Sequence, residues 1–119
     1  MPVSKLTLTD ALSKLQALGP AQVVLGNGAA TAKLLGALAF EARGEQVVLR
    51  VGCACEVGIA RDRIRHAVLS EKEIDGQRAA HAQLFDGNYD KVVALVFPQG
   101  LSAARALVTQ LDGNDFEID

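Results

Sequence analysis

Residues 66–85 read HAVLSEKEIDGQRAAHAQLF, two alternating runs on either side of Asp75-Gly76. Asp-Gly between two such runs is a favoured two-residue hairpin connection, because the tight turn needs positive φ and these two residues tolerate it. The turn sets the register: Ile74 faces Gln77, Ser70 faces His81, and His66 faces Phe85. Register then divides the side chains, since successive residues of a strand point to opposite faces. Ala67, Leu69, Ala80, Ala82 and Leu84 form the core face, with Glu73 opposite Arg78. His66, Val68, Ser70, Lys72, Ala79, His81, Gln83 and Phe85 form the other, more polar face. A lone hairpin is marginal in water, so this one needs further strands or helices against its apolar side.

The flanking sequence supplies them. Asp86-Gly87-Asn88 turns the chain again, and KVVALVF (Lys91–Phe97) reads as a buried strand ended by Pro98-Gln99-Gly100. Leu101–Leu111 has helical spacing, with Leu101, Ala104, Val108 and Leu111 on one face, and Asp112-Gly113-Asn114 caps it. The acidic residues after it are expected to fray. Upstream, Thr9 is expected to cap a helix over Asp10–Leu18, with Leu12, Leu15 and Leu18 inward and Gly19-Pro20 as the stop. Ala21–Leu25 is a short strand and Asn27-Gly28 a hairpin signal. Ala29–Leu35 suits either the return strand or a helix, and Leu34–Gly44 is ambiguous up to a turn at Arg43-Gly44-Glu45. Val47–Val51 and Glu56–Ala60 are strand-like, followed by a polar turn at Arg61-Asp62-Arg63. Strands bracketed by helices predict an α+β fold, mainly antiparallel β-sheet with N-terminal and C-terminal flanking helices. No internal repeat or linker divides the chain, so residues 1–119 read as a single domain, a length suited to one core.

Composition narrows the function classes. Half the residues are hydrophobic, which argues against intrinsic disorder, and the net charge of −2 comes without a basic patch, which argues against nucleic acid. Aromatic residues are only 4 %, too few for base-stacking platforms. No apolar run approaches the roughly 18 residues of a membrane span, and MPVSKLTLTD lacks the apolar core of a signal peptide. The protein is therefore read as cytoplasmic, where thiols stay reduced.

Cys53 and Cys55 stand in VGCACEVGI. Alternation puts Leu49, Val51, Cys53, Cys55, Val57 and Ile59 on one apolar face, so both thiols are expected to be core filling. The other face, with Gly52, Ala54, Gly58 and Ala60, is nearly smooth and would admit a neighbouring backbone or a flat ligand. C-x-C geometry is poor for an intrachain disulfide, and a zinc site would need two more ligands that do not occur at motif spacing. A thiol redox role remains as a lesser alternative. The two histidines lie about 13 Å apart along the hairpin, too far to share one metal ion. The Gly-x-Gly of GNGAATAK lacks a third glycine and P-loop spacing, and reads as a turn. No catalytic group is identified, so enzyme activity is not predicted.

From Gly19 to Gly100 the chain resembles the bacterial haem-utilisation carriers of the HemS/ChuX/HutX type. The likeness rests on Leu18-Gly19-Pro20 followed by AQVVL, on IARDRIRHAVLSEKEIDG, on AHAQLFDGNYDKVVALVF, and on their order before a closing helix. The resemblance implies a large antiparallel sheet with flanking helices, a homodimer, and haem held in a cleft beside the sheet with histidine on the iron. The family's histidine positions fall near Asn27 and Gly58, and neither is histidine here. Iron would then be held by a substitute, His66, His81 or Tyr89, or the ring by packing alone. Arg50, Lys33 and Arg78 are the candidate partners for propionates. The expected function is an intracellular carrier of haem or a related tetrapyrrole in iron acquisition. The alternative is a divergent member without haem that serves as a dimeric interaction or scaffold module.

Overall fold

The computed structural model describes residues 4–26, 31–52 and 55–118. The Asn27-Gly28 turn and Cys53 lie outside the described residues. In chain order the elements are β1 (Ser4–Leu6), α1 (Leu8–Gln16), β2 (Ala21–Gly26), β3 (Thr31–Gly36), β4 (Leu38–Arg43), β5 (Gln46–Val51) and β6 (Cys55–Ala60). A short 3₁₀ turn at Arg61–Arg63 leads to β7 (His66–Ile74), β8 (Gln77–Phe85), β9 (Lys91–Phe97), α2 (Leu101–Leu111) and β10 (Asp115–Ile118). This is the α+β architecture, mostly antiparallel sheet with one helix near each end.

Seven strands form one sheet in the order β1-β10-β7-β8-β9-β2-β3, and β4-β5-β6 form a second, smaller one. The central hairpin has the expected register, with Ile74 paired to Gln77, Ser70 to His81 and His66 to Phe85. Asp75 and Gly76 take φ of 51° and 79°, as the tight connection requires. The five expected core residues of this hairpin are all buried. They continue across β9 through Val93, Leu95 and Phe97, and across β2 through Ala21 and Val23. Both helices and the odd-numbered face of the small sheet add to this single cluster, through Leu12, Leu15, Ala104, Leu107, Val47 and Leu49.

Two local expectations are corrected here, and one left open is settled. The first helix is capped by Thr7, whose hydroxyl oxygen accepts from the Asp10 amide at 3.2 Å, two residues before Thr9. Starting at Leu8 lets Leu8 join Ala11, Leu12 and Leu15 on the buried face, and burial decides between two adequate caps. The segment that suited strand or helix is strand β3, paired residue for residue with β2, because sheet hydrogen bonding overrides the helix propensity of Ala and Lys. The acidic end does not fray. β10 inserts between β1 and β7, with Phe116 and Ile118 buried beneath Asp115 and Glu117 on the polar side. D-F-E-I is a period-two pattern, and only its shortness and charge concealed it.

The cysteine expectation is overturned for Cys55, which is exposed. Parity is right: Val51 pairs with Cys55, Leu49 with Val57 and Val47 with Ile59, so these residues do share a face. β6 is the edge strand of the small sheet, and along this face burial falls from Ile59 through Val57 to Cys55, which stands exposed next to the connection from β5. The opposite face of the small sheet is not smooth either. Gln46 lies beside Gly58, its Oε1 3.2 Å from where a β-carbon would stand, and Glu41, Arg43, Arg50 and Glu56 form an ion-pair network over the strands.

Candidate functional site

The large sheet is packed on one side only. Its other face presents the even-numbered residues of β7 and β9 and the odd-numbered ones of β8, and it gathers most of the sequence-derived candidates. Cross-strand pairing runs Ser70, His81, Val96, Gln22 and Leu35 in one row from β7 to β3. The adjoining row runs Asp115, Val68, Gln83, Ala94, Val24 and Lys33 from β10 to β3. Ala79, Ala94 and Val96 are buried among their neighbours, so the middle of the face is a low apolar floor. The large hydrophobic residues exposed among those described, Leu35 at 70 % and Tyr89 at 64 %, both belong to this side.

His81 stands on that floor. Its Nδ1 lies 3.3 Å from the Ser70 Oγ. Burial, then the Lys72 and Lys91 ammonium groups, push its pKa below the usual imidazole value, so the ring stays neutral at neutral pH. In the tautomer that donates from Nδ1 to the hydroxyl, Nε2 keeps its lone pair free for a metal or a proton.

His66 sits at one end of the same face, about 13 Å from His81 along the strands. Its ring stacks on Tyr89 with centroids 4.1 Å apart and planes 14° apart, and Phe85 lies 6.3 Å from Tyr89. The loop between β8 and β9 sets this corner. Asp86 is buried, its Oδ1 accepts from the Asn88 and Asp90 amides at 2.9 and 3.0 Å, and its Oδ2 meets Arg63 at 3.3 Å. The two amides, with Arg63 adding to them, hold the Asp86 carboxyl below the usual range. That clamp carries Tyr89 at φ 61°, where its ring falls over His66. Sequence reading identified the turn but not the clamp, although an aspartate opening a tight turn is its ordinary signal.

The remaining candidates separate. Lys33 shares the face, three strands from His81, about 14 Å away. Arg78 lies at the hairpin end, where its Nε donates to Glu71 at 2.7 Å on the helix-covered side. Arg50 is on the small sheet, bound to Glu41 at 3.0 Å and Glu56 at 3.3 Å, and takes no part in the open face. Among the described residues no three His, Cys, Asp or Glu side chains converge as a metal site.

No family model and no curated protein matches the sequence. Solved structures do match it. ChuX superposes with a TM-score of 0.71 at 14 % identity, covering 87 % of this chain and 71 % of that one. A second structure, described as the heme binding protein ChuX, gives 0.69 at 16 % identity over 88 % of this chain and 72 % of that one. A protein from Erwinia carotovora gives 0.69 at 18 % identity over 87 % and 70 %. At these identities the likeness shows a shared fold. The chain has the ChuX-type fold that the motifs implied.

Proposed function

We propose that this chain is an intracellular carrier of haem or a related tetrapyrrole in iron acquisition, acting as a homodimer. Residues 1–119 then form one carrier unit. The observation that carries this reading is a neutral imidazole on a flat, apolar, uncovered sheet face, in a fold shared with a heme binding protein. The donor set fits the group. His81 would supply the iron ligand through Nε2, with Ser70 fixing the ring orientation, as hydrogen-bonded second partners do for metal-bound histidine. Ala79, Ala94 and Val96 would lie under the macrocycle, and Lys33, at the far edge of the same face, would meet its carboxylates. Bound haem would supply a Lewis-acidic iron and an extended apolar plane. A single half-buried histidine holds such a group reversibly, which suits delivery more than storage.

Hemin titration of the purified protein tests the proposal. A Soret band shift that is lost in His81→Ala and kept in His66→Ala is the expected result. No shift at any ratio of hemin to protein refutes it. A second reading, a scaffold that binds no haem, is favoured by Gly58. The family histidine's place there is bordered by the Gln46 carboxamide. Dimerisation by sedimentation without any Soret shift is its signature.

A further inference from the structure

The helix-covered side of the large sheet holds a second opening. A cleft of about 430 Å³ lies between α2 and β7, walled by Leu69, Leu101, Ala104 and Val108. Its lining spans Leu101 to Thr109 of the helix, about 12 Å at 1.5 Å per residue. Ser70, Thr109 and Asn114 complete the lining, and it includes no aromatic ring to stack on a flat guest.

One charged cluster borders it. Glu71 and Arg105 both line the cleft. Arg105 donates from Nε to Glu71 Oε2 and from Nη2 to Oε1, each at 2.9 Å, while Arg78 donates from Nε to Oε1 at 2.7 Å. Two guanidinium groups therefore share one carboxylate, which they hold ionised with a pKa lowered to about 2. A guanidinium carries five N–H groups. Three on Arg105 and four on Arg78 are unengaged by described residues. The cluster keeps one net positive charge, with donors in the fork geometry that suits a second carboxylate.

We infer that this cleft is a binding site for an aliphatic carboxylate, its chain along Leu101, Ala104 and Val108 and its head on Arg105. The two sites share Ser70, which lines the cleft and also meets His81, while Glu71, Arg105 and the aliphatic wall belong to the helix-covered side. Glu71 then acts as a built-in competitor. It occupies the guanidinium groups when the site is empty and weakens binding of any other carboxylate.

Decanoate is the probe, titrated into the ¹⁵N-labelled full chain and followed by amide shifts. The expected shifts fall on Leu69–Glu71 and on residues 101–109, and decanol binds at least tenfold more weakly. Arg105→Gln lowers decanoate affinity about tenfold, whereas Glu71→Gln raises it by releasing both arginines. Val108→Trp, which fills the cleft and leaves the charges in place, abolishes binding. Three results would each overturn the assignment. These are equal affinity for acid and alcohol, weaker decanoate binding in Glu71→Gln as well as in Arg105→Gln, or shifts centred on His81 and Val96.

Discussion

Replacing Phe116 by alanine distinguishes a docked C-terminal strand from a loose one. The ring is 1 % exposed, and β10 is tied to the β7 side at both of its ends by backbone bonds, Asn114 accepting from the Leu69 amide at 2.7 Å and Arg65 from the Ile118 amide at 2.8 Å. Loss of a buried aromatic side chain removes about 2–3 kcal/mol of transfer free energy. The vacated space adds a cavity term that depends on whether neighbours can move in. Here the cross-strand neighbour on β7 is Ala67, too short to fill it. The expected loss is therefore at the upper part of the range for such changes, about 4–5 kcal/mol. That is about a quarter or more of the stability of about 5–15 kcal/mol typical of a domain. At roughly 4 °C per kcal/mol, the melting temperature should fall by about 16–20 °C. Urea unfolding followed by circular dichroism measures it, with Glu117→Ala as control. Glu117 is exposed on the same strand and should change stability by less than about 0.5 kcal/mol. If the two variants unfold at the same urea concentration, β10 does not pack as described and the reasoning fails.

Three further outcomes are expected. Gly100→Ala should lose about 1–3 kcal/mol or more in the same unfolding assay, because its β-carbon would lie 2.5 Å from the Leu18 carbonyl oxygen and 2.8 Å from the Phe97 β-carbon; unchanged stability would contradict that packing. Tyr89 is the one tyrosine and there is no tryptophan, so tyrosine fluorescence reports the His66 corner alone; Asp86→Ala should release the stacked ring and change that emission, and an unaltered spectrum would separate the loop clamp from the stack. His81 has a folded pKa below its unfolded value, so acidification should weaken the fold, beginning as pH falls through the unfolded value of about 6.5 and ending below the folded one; His81→Gln should flatten that part of the stability profile, and an unchanged slope between pH 7.5 and 5.5 would show that the imidazole is not held neutral.

The β7–β8 hairpin was legible in full because one turn and one alternating pattern fix register and face together. The β9 strand and α2 were equally plain, each ended by its own breaker. β1 escaped notice because three residues carry no period, and β10 because half of its four residues are acidic. Cys55 was misjudged because alternation tells which side a residue faces and not how far along the strand the core extends. The candidate site was legible as a face: placing His66, Val68, Ser70 and His81 together followed from the turn alone. That Arg50 belongs to another sheet did not follow, since no local signal tells which strands share a sheet. Nor did the stacking of Tyr89 on His66, which depends on how the Asp86 carboxylate bends the intervening loop.

The parallel pairing of β1 with β10 also bears on how the chain matures. Among the described residues the strand partner of β1 is β10, so this corner of the sheet pairs only once residues 115–118 have been made. A nascent chain exposes the outer rim of β7 throughout that interval, a template for wrong pairings in a crowded cell. Late closure over so long a loop is also slow. Slowed synthesis of residues 115–118 would prolong the vulnerable period, and loss of soluble yield would reveal it before any change in the finished protein.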